Sequence, residues 1–383
     1  MTNPRQKLCS LQILRGLAAV WVVVFHLEFL AEHYFNHLEK IRFVHAGQLG
    51  VHLFFVLSGF IIFWIHDLDA GIDGAIRAYF LKRITRIYPL LIVLNLVKLA
   101  YMAASGYGVR QNKFNFTSVL GSFLLIPTTS NFLIDVTWSL AYEMWFYVGF
   151  GILLLLGRKA LYRFGLGYGL LTLALNLPGV PALGGMAGFV FDPRIMEFIL
   201  GCVIAFNLRR LVDGAKSRGF LLLIAAVIAI VVGLFNGWDE SLSPLMTSAY
   251  WGITFGALLF GCLLLERSYD LSKVRISILL GDASYSIYLA HSLTLNLLAV
   301  IFLKFLPGAS GYMLTGILLV CGLMGIASGI VCYVLLEHPM QRFFRSRINP
   351  GPDKRNPAFA VERSNTGIAP PIPQPDLKSG HQL

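Results

Sequence analysis

Charge is what this sequence has least of. Only 13% of its 383 residues are Asp, Glu, Lys or Arg, against about a quarter in soluble domains. Together with 56% hydrophobic residues and a mean hydropathy of +0.70, that scarcity excludes a water-soluble globular chain and leaves a polytopic membrane protein. Cysteine is scarce too. The five present, Cys9, Cys202, Cys262, Cys321 and Cys332, show no CxxC spacing and four lie in apolar runs, so they read as small core residues rather than a disulfide or metal framework. No His/Cys/Asp/Glu set has zinc-ligand spacing, and the GxSxG, Walker and GxGxxG patterns are absent. No metal is therefore expected. The first apolar run continues to spanning length without a small-residue cleavage site, so no cleavable signal is expected.

What is there instead is a series of apolar stretches near the roughly 20 residues a helix needs to cross the hydrocarbon core. Ten candidates occupy 10–32, 48–67, 87–104, 136–157, 164–179, 188–208, 219–237, 246–266, 283–303 and 312–336. The weakest is 164–179, which is short and ends in the breakers "NLPGVP". The stretch 116–127 is too short to span and reads as a surface or re-entrant helix. The expected fold is an all-α integral membrane protein of about ten transmembrane helices in one domain, residues 1–348. Residues 349–383 are rich in Pro, Gly and polar side chains and are expected to form a disordered cytoplasmic tail.

Charge of one sign supplies the orientation. Starting the N-terminus in the cytoplasm, 23 Lys and Arg residues fall in inside segments and five outside, with Arg15, Lys98 and Arg194 within spans. Such a split is a positive-inside signal placing both termini in the cytoplasm. It also accounts for the net charge of +11: the basic residues meet membrane lipids, and no nucleic-acid partner is implied.

The ionisable residues that lipid disfavours are the functional candidates. Arg15 and His26 are eleven residues apart, about three turns, so they share one face roughly 16 Å apart along the axis. Arg15 alone could snorkel to headgroups and His26 could be a passive core histidine; their alignment favours a shared cavity. In "GVHLFFVLSGFIIFWIH", His52 lies near the outer surface, Ser58 and Gly59 near the middle, and His66 at the inner interface. The Ser-Gly pair marks either close helix packing or room for a substrate chain. In "YFLKRITRIYPL", Lys82, Arg83 and Arg86 cluster at the inner face, suited either to lipid phosphates or to a phosphate-bearing ligand. Trp138, Ser139, Tyr142 and Glu143 open a later span. A carboxylate at the depth of Glu143 needs a partner, and His26 is the economical one. Glu197 is expected to pair with Arg194 at i, i+3 as a structural carboxylate. Ser284, Tyr288 and His291 line one face of another span, and Glu337 sits at the inner boundary beside basic residues. Depth sorts these groups into a basic inner layer and an outer layer suited to proton transfer.

In chain order, "LRGLAAVWVVVFHL", "GVHLFFVLSGFII", "KRITRIYP", "TWSLAYEMWFY", "SYSIYLAH" and "EHPMQ" resemble the membrane acyltransferase-3 family, over essentially residues 8–345. These are bacterial O-acyltransferases of exopolysaccharide, O-antigen and Nod factor, and the exopolysaccharide branch fits best. The resemblance implies a multi-pass protein of the bacterial inner membrane that takes an acyl group, expected to be acetyl, from acyl-CoA. The implied acceptor is a carbohydrate hydroxyl, on a free or lipid-linked glycan, with polysaccharide-synthesis machinery as a possible partner. It implies His26 as the essential histidine with Arg15 in the same motif; Arg83 and Arg86 match the family's basic motif, whose first position here is Lys82. The expected mechanism has acetyl-CoA phosphates at Arg15, Lys82, Arg83 and Arg86, and His26 as general base with Glu143 orienting it. His52, Ser58, Trp138, Ser139 and His291 are the expected substrate contacts. Direct transfer and an acyl-histidine relay both remain open. The rival readings are a transporter that uses His26 as a proton relay and a scaffold for a polysaccharide synthase.

Overall fold

A computed structural model describes residues 8–35, 42–72, 74–105, 115–127, 131–210, 215–238, 241–306 and 308–348. The tail expected to be disordered, 349–383, lies outside the described residues. All regular structure among the described residues is helical. The principal helices are α1 (Cys9–Phe35), α2 (Gly50–His66), α3 (Ala75–Ser105), α4 (Phe116–Leu124), α5 (Trp138–Leu155), α6 (Arg158–Leu175) and α7 (Ile195–Arg210). They continue with α8 (Ala215–Asn236), α9 (Pro244–Glu266), α10 (Arg275–Asp282), α11 (Ser284–Phe305), α12 (Gly311–Cys332) and α13 (His338–Ile348). A π-turn, Tyr333–Glu337, joins the last two.

Eight of the described segments are long and apolar enough to cross a membrane, and they account for eight of the ten expected spans. The other two expected spans are helical but differ in kind. The stretch 164–179 lies largely in α6, whose first turns carry Arg158, Lys159 and Arg163. The stretch 188–208 is broken by a turn at 191–194, and α7 begins only at Ile195. The basic segment 77–86 and the span 87–104 are one continuous helix, α3, which runs through Pro89. Residues 116–124 form the expected short helix, tied to α3 where Asn95 donates to the Ser122 carbonyl at 3.1 Å.

The centre of the bundle is α2, buried along most of its length. Glycine lets its neighbours approach. A Cβ on Gly59 would lie 1.9 Å from the Phe198 carbonyl oxygen, and one on Gly201 would lie 2.1 Å from that of Val56, so α2 and α7 touch backbone to backbone. Gly281 does the same for α10 against α1, where an added Cβ would meet the Gln12 carbonyl oxygen at 2.0 Å. At the start of α2, a Cβ on Gly50 would meet the Ala18 carbonyl at 2.7 Å and a Val22 methyl at 2.9 Å. Close packing through small residues is how membrane helices gain dispersion contacts without a hydrophobic driving force between them. The Ser-Gly pair thus divides its labour: Gly59 packs, and Ser58 is left to face inward.

Candidate active site

Among the described residues, two neighbouring cavities share two lining residues, Val51 and Tyr288. The first is a slot of about 60 Å³. Its polar wall comes from Arg15 on α1, Ser58 on α2, Arg83 and Arg86 on α3, Glu143 and Tyr147 on α5, and Ser284 on α11. The second, of about 470 Å³, takes His26 from α1, His52 from α2, and Trp138, Asp192, Arg194 and Ser248 from its other walls. Small-ligand pockets run to about 300–1,000 Å³. The second chamber has that capacity; the slot admits only a thin group.

The slot is built around cations. Arg83 is buried, its Nη2 donates to His66 Nε2 at 3.3 Å, and its guanidinium lies 5.3 Å from the Tyr147 ring centroid. Because a guanidinium only donates, His66 Nε2 accepts and Nδ1 carries the proton that it donates to Asp69 Oδ2 at 2.8 Å. Arg15 reaches Gln12 Oε1 with a long 3.5 Å bond and lies within electrostatic range of Arg86, Glu337 and Glu143. Glu143 Oε1 accepts from Ser58 Oγ at 2.7 Å and from the Tyr147 hydroxyl. Glu337, in the π-turn, accepts from Ser286 Oγ and from Gln341 Nε2 at 2.8 Å. Three guanidinium groups around one small space favour an anionic ligand, and their forked donors suit phosphate.

The larger chamber is built around imidazoles. His26 Nδ1 is 2.8 Å from the Val22 carbonyl, which can only accept. Nδ1 therefore carries the proton and Nε2 keeps its lone pair. The ring packs edge-on against His291, with centroids 4.8 Å apart. His291 repeats the arrangement on α11, its Nδ1 donating to the Ile287 carbonyl at 2.8 Å. His52 Nδ1 donates to Glu197 Oε1 at 2.6 Å. Arg194 pairs with Asp192 at 3.5 Å and sits over the rings of Trp138 and Tyr142, at 5.1 and 5.4 Å.

Between the chambers stands Tyr288. Its hydroxyl donates to the Val136 carbonyl at 2.9 Å and lies 2.7 Å from Ser139 Oγ. The alignment of Arg15 and His26 on one helix thus resolves into one residue per chamber, with a partition between them rather than an open shaft.

Several expectations change. Glu143 does not pair with His26; Ser58 and Tyr147 already satisfy it in the slot, the latter one turn along the same helix. Glu197 does not pair with Arg194, because α7 begins only at Ile195 and Arg194 lies outside the helical register the pairing needs. His66, the last residue of α2, is buried against the protein. Lys82 is exposed and does not line the slot: Arg83 and Arg86, at i, i+3, turn inward together and Lys82 points elsewhere. His291 stands behind His26 rather than in the chamber wall. Ser58 and Ser139 line the slot, and His52 and Trp138 line the larger chamber. Reading the sequence missed Tyr147 and Asp192; Tyr147 was findable as the i+4 neighbour of Glu143.

A family model described as an acyltransferase domain matches residues 10–336. The exopolysaccharide production protein ExoZ of Rhizobium meliloti (strain 1021) is 29% identical over 313 residues, covering 79% of this chain and 92% of that one. The acyltransferase MdmB of Streptomyces mycarofaciens is 26% identical, covering 76% of this chain and 79% of its own length. The peptidoglycan O-acetyltransferase OatA of Listeria monocytogenes is 26% identical over 75% of this chain but only 49% of its own length. No solved structure matches.

Proposed function

This chain belongs to the acyltransferase-3 family, a multi-pass membrane O-acyltransferase, and on that premise we propose that it moves an acyl group, acetyl in the first instance, from acyl-CoA to a hydroxyl of an exopolysaccharide or other surface glycan at the bacterial inner membrane. One observation carries the proposal. A cation-lined slot and an imidazole-lined chamber meet at a single partition formed by Val51 and Tyr288, so an anionic donor and a polyhydroxylated acceptor can reach one point from opposite sides.

Arg15, Arg83 and Arg86 are the donor's electrostatic anchor. A slot of about 60 Å³ is too small for a nucleotide, so the phosphates stay at its mouth and only the acyl-bearing arm passes inward. Arg15, held by one long bond to Gln12, is the side chain best able to shift as the arm enters. In the larger chamber, Trp138 offers an apolar face to a sugar ring, while Asp192 and Arg194 offer an acceptor and donors to its hydroxyls. His26 serves the transfer through its Nε2 lone pair. As a base it takes the acceptor's proton while the oxygen attacks the thioester carbon; as a nucleophile it carries the acyl group between the two. In both routes the C–S bond breaks, a C–O bond forms, and the acceptor's proton ends on the CoA sulfur.

The test uses the purified protein in vesicles with radiolabelled acetyl-CoA and the cell's own surface glycan. Wild type is expected to build alkali-labile label into glycan, and His26→Ala to lose it while remaining folded. Full incorporation by His26→Ala overturns the assignment of His26. Passage of label across the vesicle with no ester formed would favour a transporter.

A further inference from the structure

The larger chamber holds two imidazoles that are backed differently. His26 Nδ1 rests on the Val22 carbonyl at 2.8 Å, a neutral dipole. His52 Nδ1 rests on Glu197 Oε1 at 2.6 Å, and the Glu197 side chain has no exposed surface. A carboxylate behind Nδ1 fixes the tautomer, leaves Nε2 free to accept, and balances the charge that forms when Nε2 takes a proton. A backbone carbonyl does only the first two. The helices that carry the two rings are also closely packed. Gly50, two residues before His52, packs against Val22, the residue whose carbonyl holds His26, and both histidines line the same cavity.

We infer that His52, backed by Glu197, is the base that removes the acceptor hydroxyl's proton, and that His26 is thereby left to carry the acyl group. This rests on the acyl-transfer reading above and decides between its two routes. His26 Nε2 attacks the thioester carbonyl carbon, the C–S bond breaks, and CoA leaves as the thiolate. The acceptor hydroxyl then gives its proton to His52 Nε2 as its oxygen attacks the same carbon. The C–N bond to His26 breaks and its electron pair returns to Nε2. The proton held on His52 passes through chamber water to the thiolate, so the products are the glycan ester and CoA thiol. Glu197 is a positioning residue in this scheme; His52 touches the reacting hydroxyl.

The test follows CoA thiol release and glycan ester formation separately, with radiolabelled acetyl-CoA and the full-length protein in detergent, for His52→Ala, Glu197→Gln and His26→Ala. Glu197→Gln is included because it is isosteric and keeps an acceptor for Nδ1, and thermal unfolding of each variant reports on folding. His52→Ala is expected to keep a pre-steady-state burst of about one CoA per protein while glycan transfer falls by roughly 100-fold or more, the range removed with a general base. Added free imidazole should restore part of that turnover, which it would not do for a merely structural residue. Glu197→Gln should keep the burst and lose transfer to a lesser extent. His26→Ala should show neither burst nor transfer. Transfer by His52→Ala within twofold of wild type overturns the inference, as does loss of burst and transfer together with no rescue by imidazole. If wild type itself releases no CoA in the presence of glycan, the acyl-CoA reading fails first and takes this one with it.

Discussion

The hydroxyl of Tyr288 and the hydroxyl of Ser139 lie 2.7 Å apart, joining α11 to α5 where the basic slot meets the imidazole chamber. Tyr288 also donates to the Val136 carbonyl, so its ring is fixed from two directions. Removing the hydroxyl in Tyr288→Phe should cost about 1 kcal/mol of stability, because the Ser139 hydroxyl, 3.3 Å from the Val136 carbonyl, can turn its hydrogen there instead. The larger effect should be leakage. Water should reach the thioester, and CoA release without glycan should rise several-fold. Unchanged acceptor-free release in the variant would mean that the ring alone closes the passage.

Glu143 is satisfied by Ser58 and Tyr147 rather than by His26. Glu143→Gln keeps an oxygen for both donors but removes a negative charge from beside three guanidinium groups. Donor KM should therefore move, while kcat stays within a few-fold, as befits a group that acts on binding rather than on the transition state. Steady-state kinetics with varied acyl-CoA checks this. A loss of about 100-fold in kcat at unchanged KM would return Glu143 to the chemistry.

Exposure separates neighbours in the basic cluster. Lys82 is outside the slot, Arg86 lines it, and Arg83 is buried against His66 and Tyr147. Lys82→Ala should leave donor KM within about twofold, and Arg86→Ala should raise it about tenfold, the effect of losing one charge-assisted contact of 1.5 kcal/mol or so. Arg83→Ala should lower thermal stability as well, since it leaves His66 Nε2 buried without its donor. Equal effects of Lys82 and Arg86 on KM would contradict the placement.

Backbone contact between α2 and α7 fixes both the packing and the His52–Glu197 pair, which bridges the same two helices. Gly59→Ala places a methyl 1.9 Å from the Phe198 carbonyl oxygen, so the helices must separate. A loss of about 1–3 kcal/mol is expected, the usual cost of overpacking. Glycan transfer should fall in the molecules that remain folded, because the imidazole–carboxylate distance widens with the helices. Thermal unfolding and transfer kinetics on one preparation test this. Wild-type stability would show that the interface yields without strain.

Local pattern made much of this legible. Hydropathy located eight helices long and apolar enough to cross a membrane, whereas the eleven-residue interval in α1 put Arg15 and His26 on one face without showing that they line separate chambers. The paired residues were harder to read, for physical reasons. Glu197 meets His52 across 145 residues of chain, and no spacing within α7 encodes that contact. The Arg194–Glu197 expectation assumed helix where the chain is still turning, and the Glu143–His26 expectation matched two residues by depth alone while closer donors stood on α2 and α5. Of the other two expected spans, 164–179 lies in a helix that opens on three basic residues and 188–208 is interrupted by a turn at 191–194, features that a reading of apolar runs conceals.

The turn at 191–194 has a consequence for the chamber beside it. Non-helical backbone inside a membrane protein persists where it is buried in protein or lines a cavity rather than lipid, and Asp192 and Arg194 both line the larger chamber. An acceptor entering there would meet side chains set by a bend in the chain, whose positions a single inserted or deleted residue would shift.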